Sequence, residues 1–465
     1  MKKISFNDIH ISESSYVDPY GFVFHWNNEF YRAIKPAYES FYRSLFTEGI
    51  IENLSEKFHL VQSEITDYSI PEINCNLVIK HRKIEPATYC VEWCPSMFKK
   101  AAIVTLELNI ALLDYNCILQ DAYPWNIIFV NTKPVFIDLT SIKRIDSQLL
   151  WPAYQQFINF FLNPLKMFSM GKGKIARLYL YDYVNGITLN DLNSNYSLLY
   201  SLKHPIKTAL SSLYEIITNK IQSNQSLKLR LQRSYKKQRI DQNNIRLRKT
   251  FFNKLTKKIN NIDIFEAKTS WKDYYKNIEK SFNVQNKVEI VDNLISELKP
   301  KCVLDIGSNT GIYSIIAAKK GIKVISLDSS EYCIEELFKK SDREGYSITP
   351  VIGDVLSPTP PFGFLSKQFP SLIKRIKSDV VLCLGLMHHL HINGRQSFDR
   401  IALLLNELSN KAVIFEYIDS TDNNIHLLDH GREINYSIDT VSRSLSEYFN
   451  PTAIDDHKSR NMSTI

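Results

Sequence analysis

Residues 303–328 read VLDIGSNTGIYSIIAAKKGIKVISLD. A short apolar run carrying Asp305 enters a glycine turn at Gly307 to Gly311, continues as a helix-like stretch, and is followed by a second apolar run that closes on Asp328. Glycines at a strand-to-helix turn leave backbone N–H groups facing outward where a side chain would obstruct a ligand. The turn itself is G-S-N-T-G. Asn309 stands where the G-x-G-x-x-G fingerprint of a dinucleotide site needs the glycine that lets a pyrophosphate approach, which argues against NAD or FAD.

Two further acids narrow the ligand. Asp328 closes the second strand 23 residues after Asp305, in place to accept hydrogen bonds from both hydroxyls of a ribose. Asp354, in VIGDV, ends a third strand, where it would reach an adenine amino group. Three carboxylates at successive strand ends disfavour a phosphate-rich ligand and favour a nucleoside that carries positive charge. S-adenosylmethionine, with a sulfonium, an ammonium and no phosphate, fits.

Working outward, apolar runs and helical periodicity alternate. After a helical lead-in, NKVEIVDNLISELKP, strands are predicted at 302–306, 322–327, 348–353, 379–384 and 411–417, with helices at 311–320, 330–341 and 396–409. The tail predicts a helix near 437–448 and strands at 451–455 and 461–465, the last two able to pair antiparallel at one edge. Such alternation indicates an α/β, doubly wound, seven-stranded Rossmann-like sheet. We expect three segments: an N-terminal α+β domain over 1–220, a basic helical connector over 221–262, and the α/β domain over 263–465.

With VLDIGSNTG, VISLD, VIGD and DVVLCLGLMHHL as successive motifs, residues from about 300 to the end resemble class I S-adenosylmethionine-dependent methyltransferases. The resemblance implies that Gly307, Asn309 and Gly311 surround the methionine part, that Asp328 holds the ribose and Asp354 the adenine, and that residues 384–389, from Leu384 on, form the wall between cofactor and acceptor; Asp305, where the first strand ends, is counted with the cofactor-binding residues. Ser308 departs from the Gly or Cys of many members. The stretches GDVLSPTPPFGF, VIFEYIDSTDNNI, CVEWCPSMFKKAAIVTLELN and LQDAYPWNIIFVNTKPVFIDLTSI are similar to the nodulation-type methyltransferases, which pair this domain with a long N-terminal one.

The methyl group of this cofactor is already activated, so a methyltransferase must mainly hold a nucleophile in line and remove its proton. LMHHLHI places His388, His389 and His391 just past the fourth strand, on the acceptor side, where one could serve as general base. The same histidines suit a structural hydrogen bond to a neighbouring loop. Glu416, at the end of the fifth strand, is a second candidate for acceptor contact. Trp271, Tyr274 and Tyr275 could lid the pocket or simply pack.

In the N-terminal domain, Asp121, Asn126 five positions on and Asp138 twelve further resemble the catalytic-loop and metal-loop spacing of protein-kinase-like phosphotransferases. The departures are a missing glycine-rich loop, IDLTS in place of Asp-Phe-Gly, and only Arg32 or Lys35 near the position of the strand lysine. Of the net charge of +8, the stretch 228–258 alone carries +11, from twelve Lys and Arg against Asp241. Such a run is either a solvated face or a contact for RNA or an anionic surface. The seven cysteines are odd in number and several lie in apolar runs, as expected for thiols in a reduced cytoplasmic compartment. Cys90 and Cys94 read as structural; no metal site is expected. The longest apolar stretch, AAIVTLELNIALL, is interrupted by Glu107 and Asn109, so no transmembrane segment is expected. The expected function is methyl transfer to a small-molecule or glycan acceptor. The alternatives are an RNA-modifying methyltransferase that uses the basic connector, and a non-catalytic cofactor-binding or kinase-like module.

Overall fold

The computed structural model describes residues 1–15, 18–145, 150–196, 244–264, 282–419 and 436–450, isolated positions between 202 and 213 and at 425, and the backbone of 453–457 and 460–464. Trp271, Tyr274 and Tyr275, and the basic residues of 228–243, lie outside the described residues.

The aromatic-rich N-terminus alternates into a five-stranded antiparallel sheet. Its strands are β1 (His10–Ile11), β2 (Gly21–Trp26), β3 (Glu29–Ile34), β4 (Ser63–Ile65) and β5 (Leu77–His81), in the order β1-β2-β3-β5-β4. Asn27 and Asn28 turn β2 into β3 with φ of 49° and 61°, the left-handed pair that a two-residue hairpin demands. Helices α1 (Pro36–Thr47) and α2 (Ile50–Lys57) follow β3. The apolar stretch around 101–113 belongs to α3 (Pro95–Leu112), a largely buried helix whose Asn109 accepts a hydrogen bond from Leu119 N at 3.0 Å. That bond ties α3 to β6 (Cys117–Leu119), just before Asp121. A tight antiparallel hairpin comes next, β7 (Ile127–Val130) with β8 (Lys133–Phe136), and β9 (Ile142–Arg144) returns to pair with β6. No described helix is long and apolar enough to cross a membrane.

Helix α4 (Ile245–Asn260) covers the described end of the basic stretch. One of its faces packs on α3: Phe252, Leu255 and Ile259 are buried in the N-terminal core, and Arg248 is buried with its guanidinium donating to Leu150 O. Arg246, Lys254, Lys257 and Lys258 stay on the exposed face.

After α5 (Phe282–Leu298), the alternation of apolar runs and helices produces β10 (Cys302–Ile306), α6 (Ile312–Lys319), β11 (Lys323–Asp328), α7 (Glu331–Glu344), β12 (Ile348–Ile352), β13 (Ser378–Cys383), α8 (Phe398–Leu408), β14 (Ser409–Ile418), α9 (Ile438–Leu445), β15 (Ala453–His457) and β16 (Arg460–Thr464). The sheet runs β12-β11-β10-β13-β14-β16-β15; the first five strands are parallel and β16 pairs antiparallel with both neighbours. The seven-stranded Rossmann-like sheet and its antiparallel edge therefore match the expectation. The strand order reverses between β10 and β13, and such a switch point opens a crevice at the carboxyl ends of the strands, where ligands bind.

The two halves share a core. Ile334 and Phe338 of α7 and Ile352 of β12 pack into the N-terminal cluster. Ser96 N donates to Glu335 at 3.0 Å, Arg177 pairs with Glu331 at 2.5 Å, and the buried Arg375 donates twice to the buried Glu92 while stacking 4.0 Å from the Tyr89 ring centroid. All seven cysteines are free thiols. Cys90 and Cys94 are fully buried, and burial holds both thiols protonated.

Candidate functional site

The residues of the glycine turn converge at the switch point. Asp305 is 2% exposed at the end of β10; burial raises its pKa to about 6, against the pull of a 2.6 Å hydrogen bond from Ser314 Oγ. Ser314 in turn receives a bond from Ser326 Oγ at 2.7 Å, which links the ends of β10 and β11 through α6. Gly311 caps α6 at φ 81°, and a Cβ there would stand 2.4 Å from Leu337 Cδ1, so this position admits only glycine without rearrangement. Gly307, at φ 71°, faces Leu386 of the β13 loop, 3.3 Å from where its Cβ would be.

Asn309 takes φ 50°, which aims its backbone N–H at Asp328 Oδ2, 2.8 Å away. Ser330 N donates to the other oxygen at 2.7 Å. Burial raises the Asp328 pKa, these two backbone donors oppose the rise, and the charge of Asp354 adds to it. Each oxygen of this half-buried carboxylate keeps acceptor capacity beyond its one backbone bond. Asp354, one strand further, is exposed and caps Leu356 N at 2.9 Å. Leu384 is half-buried directly after β13.

On the acceptor side the three histidines separate. His391 is engaged structurally: Nδ1 lies 2.8 Å from Gln396 O, and the ring stacks on Phe398 at 4.0 Å. His388 is 8% exposed, and its ring lies 4.1 Å from that of His389. His389 is half-buried, with Nδ1 3.4 Å from Asn393 Nδ2, and burial lowers its pKa, so it is neutral at physiological pH. Glu416 is fully buried and pairs with Lys287 Nζ of α5 at 2.5 Å. Lys287 lies 5.0 Å from the Tyr313 ring centroid, and its charge pulls down the pKa of Asp305. Lys287 is the residue that sequence reasoning missed. It is one lysine in an amphipathic helix, and its partner lies 129 positions downstream.

This set suits S-adenosylmethionine on chemical grounds. It offers a carboxylate with spare acceptor capacity at the end of β11, a lysine over the Tyr313 ring of the helix that follows the glycine turn, and a turn whose second glycine position is filled by Asn309, so that no pyrophosphate cradle forms.

A second constellation lies in the N-terminal domain, where the fold brings Asp121, Asn126 and Asp138 around one cavity of about 420 Å³. Asn126 Nδ2 is 3.4 Å from Asp138 Oδ2, and Arg32 of β3 donates to Asp138 Oδ1 at 3.1 Å while also pairing with Asp18. Asp121 is pushed up to about 6, first by burial and then by the charges of Asp138 and Asp18. Gln368 and Phe369 of the C-terminal half complete the lining.

A family profile described as a methyltransferase domain matches residues 275–455. The chain is 25% identical over 446 residues to nodulation protein NoeA of Rhizobium meliloti (strain 1021), covering 93% of this chain and 90% of that protein. Among solved structures it is similar to an S-adenosylmethionine-dependent methyltransferase from Clostridium acetobutylicum (12% identity, 41% of this chain, 94% of that one, TM-score 0.32). It is also similar to magnesium protoporphyrin IX methyltransferase from Synechocystis PCC 6803 with bound SAH (18% identity, 39% and 81%, TM-score 0.29). Residues 275–455 match a methyltransferase domain, and the protein is an S-adenosylmethionine-dependent methyltransferase.

Proposed function

We propose that the protein methylates a hydroxyl-bearing small molecule or glycan, with His389 taking the acceptor's proton and Lys287 holding the carboxylate of the cofactor. The observation that carries this reading is the half-buried, neutral His389 beside the β13 loop. S-adenosylmethionine, when bound, supplies an activated methyl group. Asp328 accepts from the ribose hydroxyls, Asp354 from the adenine amino group, and Gly307 and Gly311 let the backbone approach the methionine part. Asp305 and Asn309 shape the turn, and Leu384 forms the wall toward the acceptor. His388 orients His389 through ring contact. Glu416, buried under Lys287, positions that lysine rather than touching the acceptor.

The N-terminal domain is proposed to be kinase-like. An antiparallel sheet, a buried helix, a tight hairpin, and Asp121, Asn126 and Asp138 around one cleft support that reading.

Labelled S-adenosylmethionine incubated with the protein and an extract of the producing cell identifies the acceptor by what becomes labelled. His389→Gln should lower transfer about 10²-fold or more and remove the acidic limb of the pH–rate profile, while cofactor affinity stays unchanged. Unchanged transfer in His389→Gln and His388→Gln together would remove the histidine base. Lys287→Met combined with Glu416→Gln should weaken S-adenosylmethionine roughly ten- to hundredfold yet leave its decarboxylated analogue unaffected. Equal weakening of both ligands would make Lys287 a purely structural partner of Glu416.

A further inference from the structure

The carboxylate of Asp328 takes its aim from α7. Ser330, whose N donates to Asp328 Oδ1 at 2.7 Å, caps that helix, with its Oγ accepting from Cys333 N at 3.4 Å. Cys333, in the first turn, also donates through Sγ to Asn309 Oδ1 at 3.4 Å, and Asn309 N is the donor to Asp328 Oδ2 at 2.8 Å. Both backbone donors to this carboxylate are therefore tied to the first turn of α7: one is its cap, and the other belongs to a residue whose side chain the turn holds. A shift of that turn moves both bonds at once.

One stripe of α7 lies on the N-terminal half. Glu331, Glu335, Phe338 and Asp342 recur at spacings of four, three and four, the period of one helix face. Glu335 accepts from Ser96 N at 3.0 Å, the Phe338 ring lies 6.2 Å from that of Phe129, and Asp342 pairs with Lys100 at 2.5 Å. Of these contacts, the one that adjoins the cap is made by Glu331, which pairs with Arg177 Nη1 at 2.5 Å. Arg177 belongs to the helix Gly173–Tyr179, and its guanidinium lies 5.8 Å from the ring centroid of the buried Phe168. Gly173, one turn earlier on the same helix, leaves the space in which the Glu331 carboxylate sits: a Cβ there would stand 2.2 Å from Oε2. The side chains of Arg177 and Glu331 are 12% and 27% exposed, so water screens the pair less than it would one on the open surface. One short helix thus supplies both the cation and the room for a single carboxylate at the start of α7.

We propose that Arg177 is a positioning residue for cofactor binding: by holding Glu331 against Gly173, it fixes the first turn of α7 and, with it, the two backbone donors that aim Asp328 at the ribose. The proposal rests on the reading that Asp328 accepts from the ribose hydroxyls. Arg177 lies 151 positions before Asp328 and in the other half of the chain. The grip of the methyltransferase half on the ribose is therefore set from the N-terminal half, while the methionine and adenine ends of the cofactor do not depend on this contact.

The test is calorimetric titration of S-adenosylhomocysteine and its 2′,3′-dideoxy analogue into the full-length protein and its variants. The unaltered protein should prefer the hydroxylated ligand by about tenfold or more. Arg177→Met should weaken S-adenosylhomocysteine by roughly tenfold and leave the analogue within about twofold, so that the preference collapses, and Arg177→Lys should keep most of it. In an Asp328→Ala background, Arg177→Met should change neither affinity further, because the two residues act on one contact. If Arg177→Met does not fold, Gly173→Ala carries the same test: it displaces only the mobile end of Glu331, and it should collapse the preference with little change in melting temperature. A preference undiminished in both variants would overturn the proposal and leave the role of Asp328 standing. Equal weakening of both ligands would also overturn it, by making Arg177 a support of the fold alone. No preference in the unaltered protein would sink the ribose reading and the proposal with it.

Discussion

Asp305 shows how burial sets a site's chemistry. An aspartate enclosed at the end of β10 holds its proton up to about pH 6, where the unfolded chain releases it near the ordinary value of 3.8. Between those values the folded state binds more protons than the unfolded one, so this residue's contribution to stability falls as pH rises through the window and stays low above it. A shift of that size corresponds to roughly 3 kcal/mol. Urea unfolding from pH 4 to 7 should therefore show Asp305→Asn gaining stability relative to the unaltered protein as pH rises, with the difference level above about pH 6. Gly311 is constrained differently. Alanine there must hold φ near 81° and meet Leu337, which should cost about 2–4 kcal/mol in the same assay and weaken cofactor binding.

At the scale of elements, α4 separates what a charge run suggests from what an apolar periodicity does. Its lysines mark a solvated face, whereas Phe252, Leu255 and Ile259 fix the helix to α3. Phe252→Ala should cost about 3–5 kcal/mol by denaturant titration, and Lys254→Gln with Lys257→Gln almost nothing. The Rossmann-like elements were legible in the sequence for a related reason. Each of the five parallel strands β10 to β14 is a short, largely buried apolar run and α7 and α8 are amphipathic, so local pattern and global fold agree, and the acids at the ends of β10 and β11 fall where the strands stop. What local pattern does not encode is long-range pairing. Lys287 looked like any helix lysine, and the reading of Glu416 as an acceptor contact gave no hint of the ion pair that encloses it.

Beside the α7 contacts, the two halves are joined by a segment of the same hidden kind. Residues 357–376 lie between β12 and β13 of the methyltransferase half, yet Phe362 and Phe369 pack on Trp125, and Arg375 reaches Glu92 across 283 positions of sequence. Removing one member of a buried pair leaves an uncompensated charge, at a cost of about 3–5 kcal/mol. Arg375→Met should therefore lower the melting temperature and split a single calorimetric transition into two, while Arg375→Met with Glu92→Leu should recover most of the loss. A single unshifted transition in Arg375→Met would show that the α7 and β12 contacts alone hold the halves together. The central claim is that the switch point beside Asp328 holds S-adenosylmethionine. Calorimetric titration of that cofactor tests it most directly: the account predicts micromolar binding to the intact protein and a loss of ten- to hundredfold or more in Asp328→Ala, from the removal of hydrogen bonds to a charged acceptor. Equal affinity in the two proteins would contradict the account.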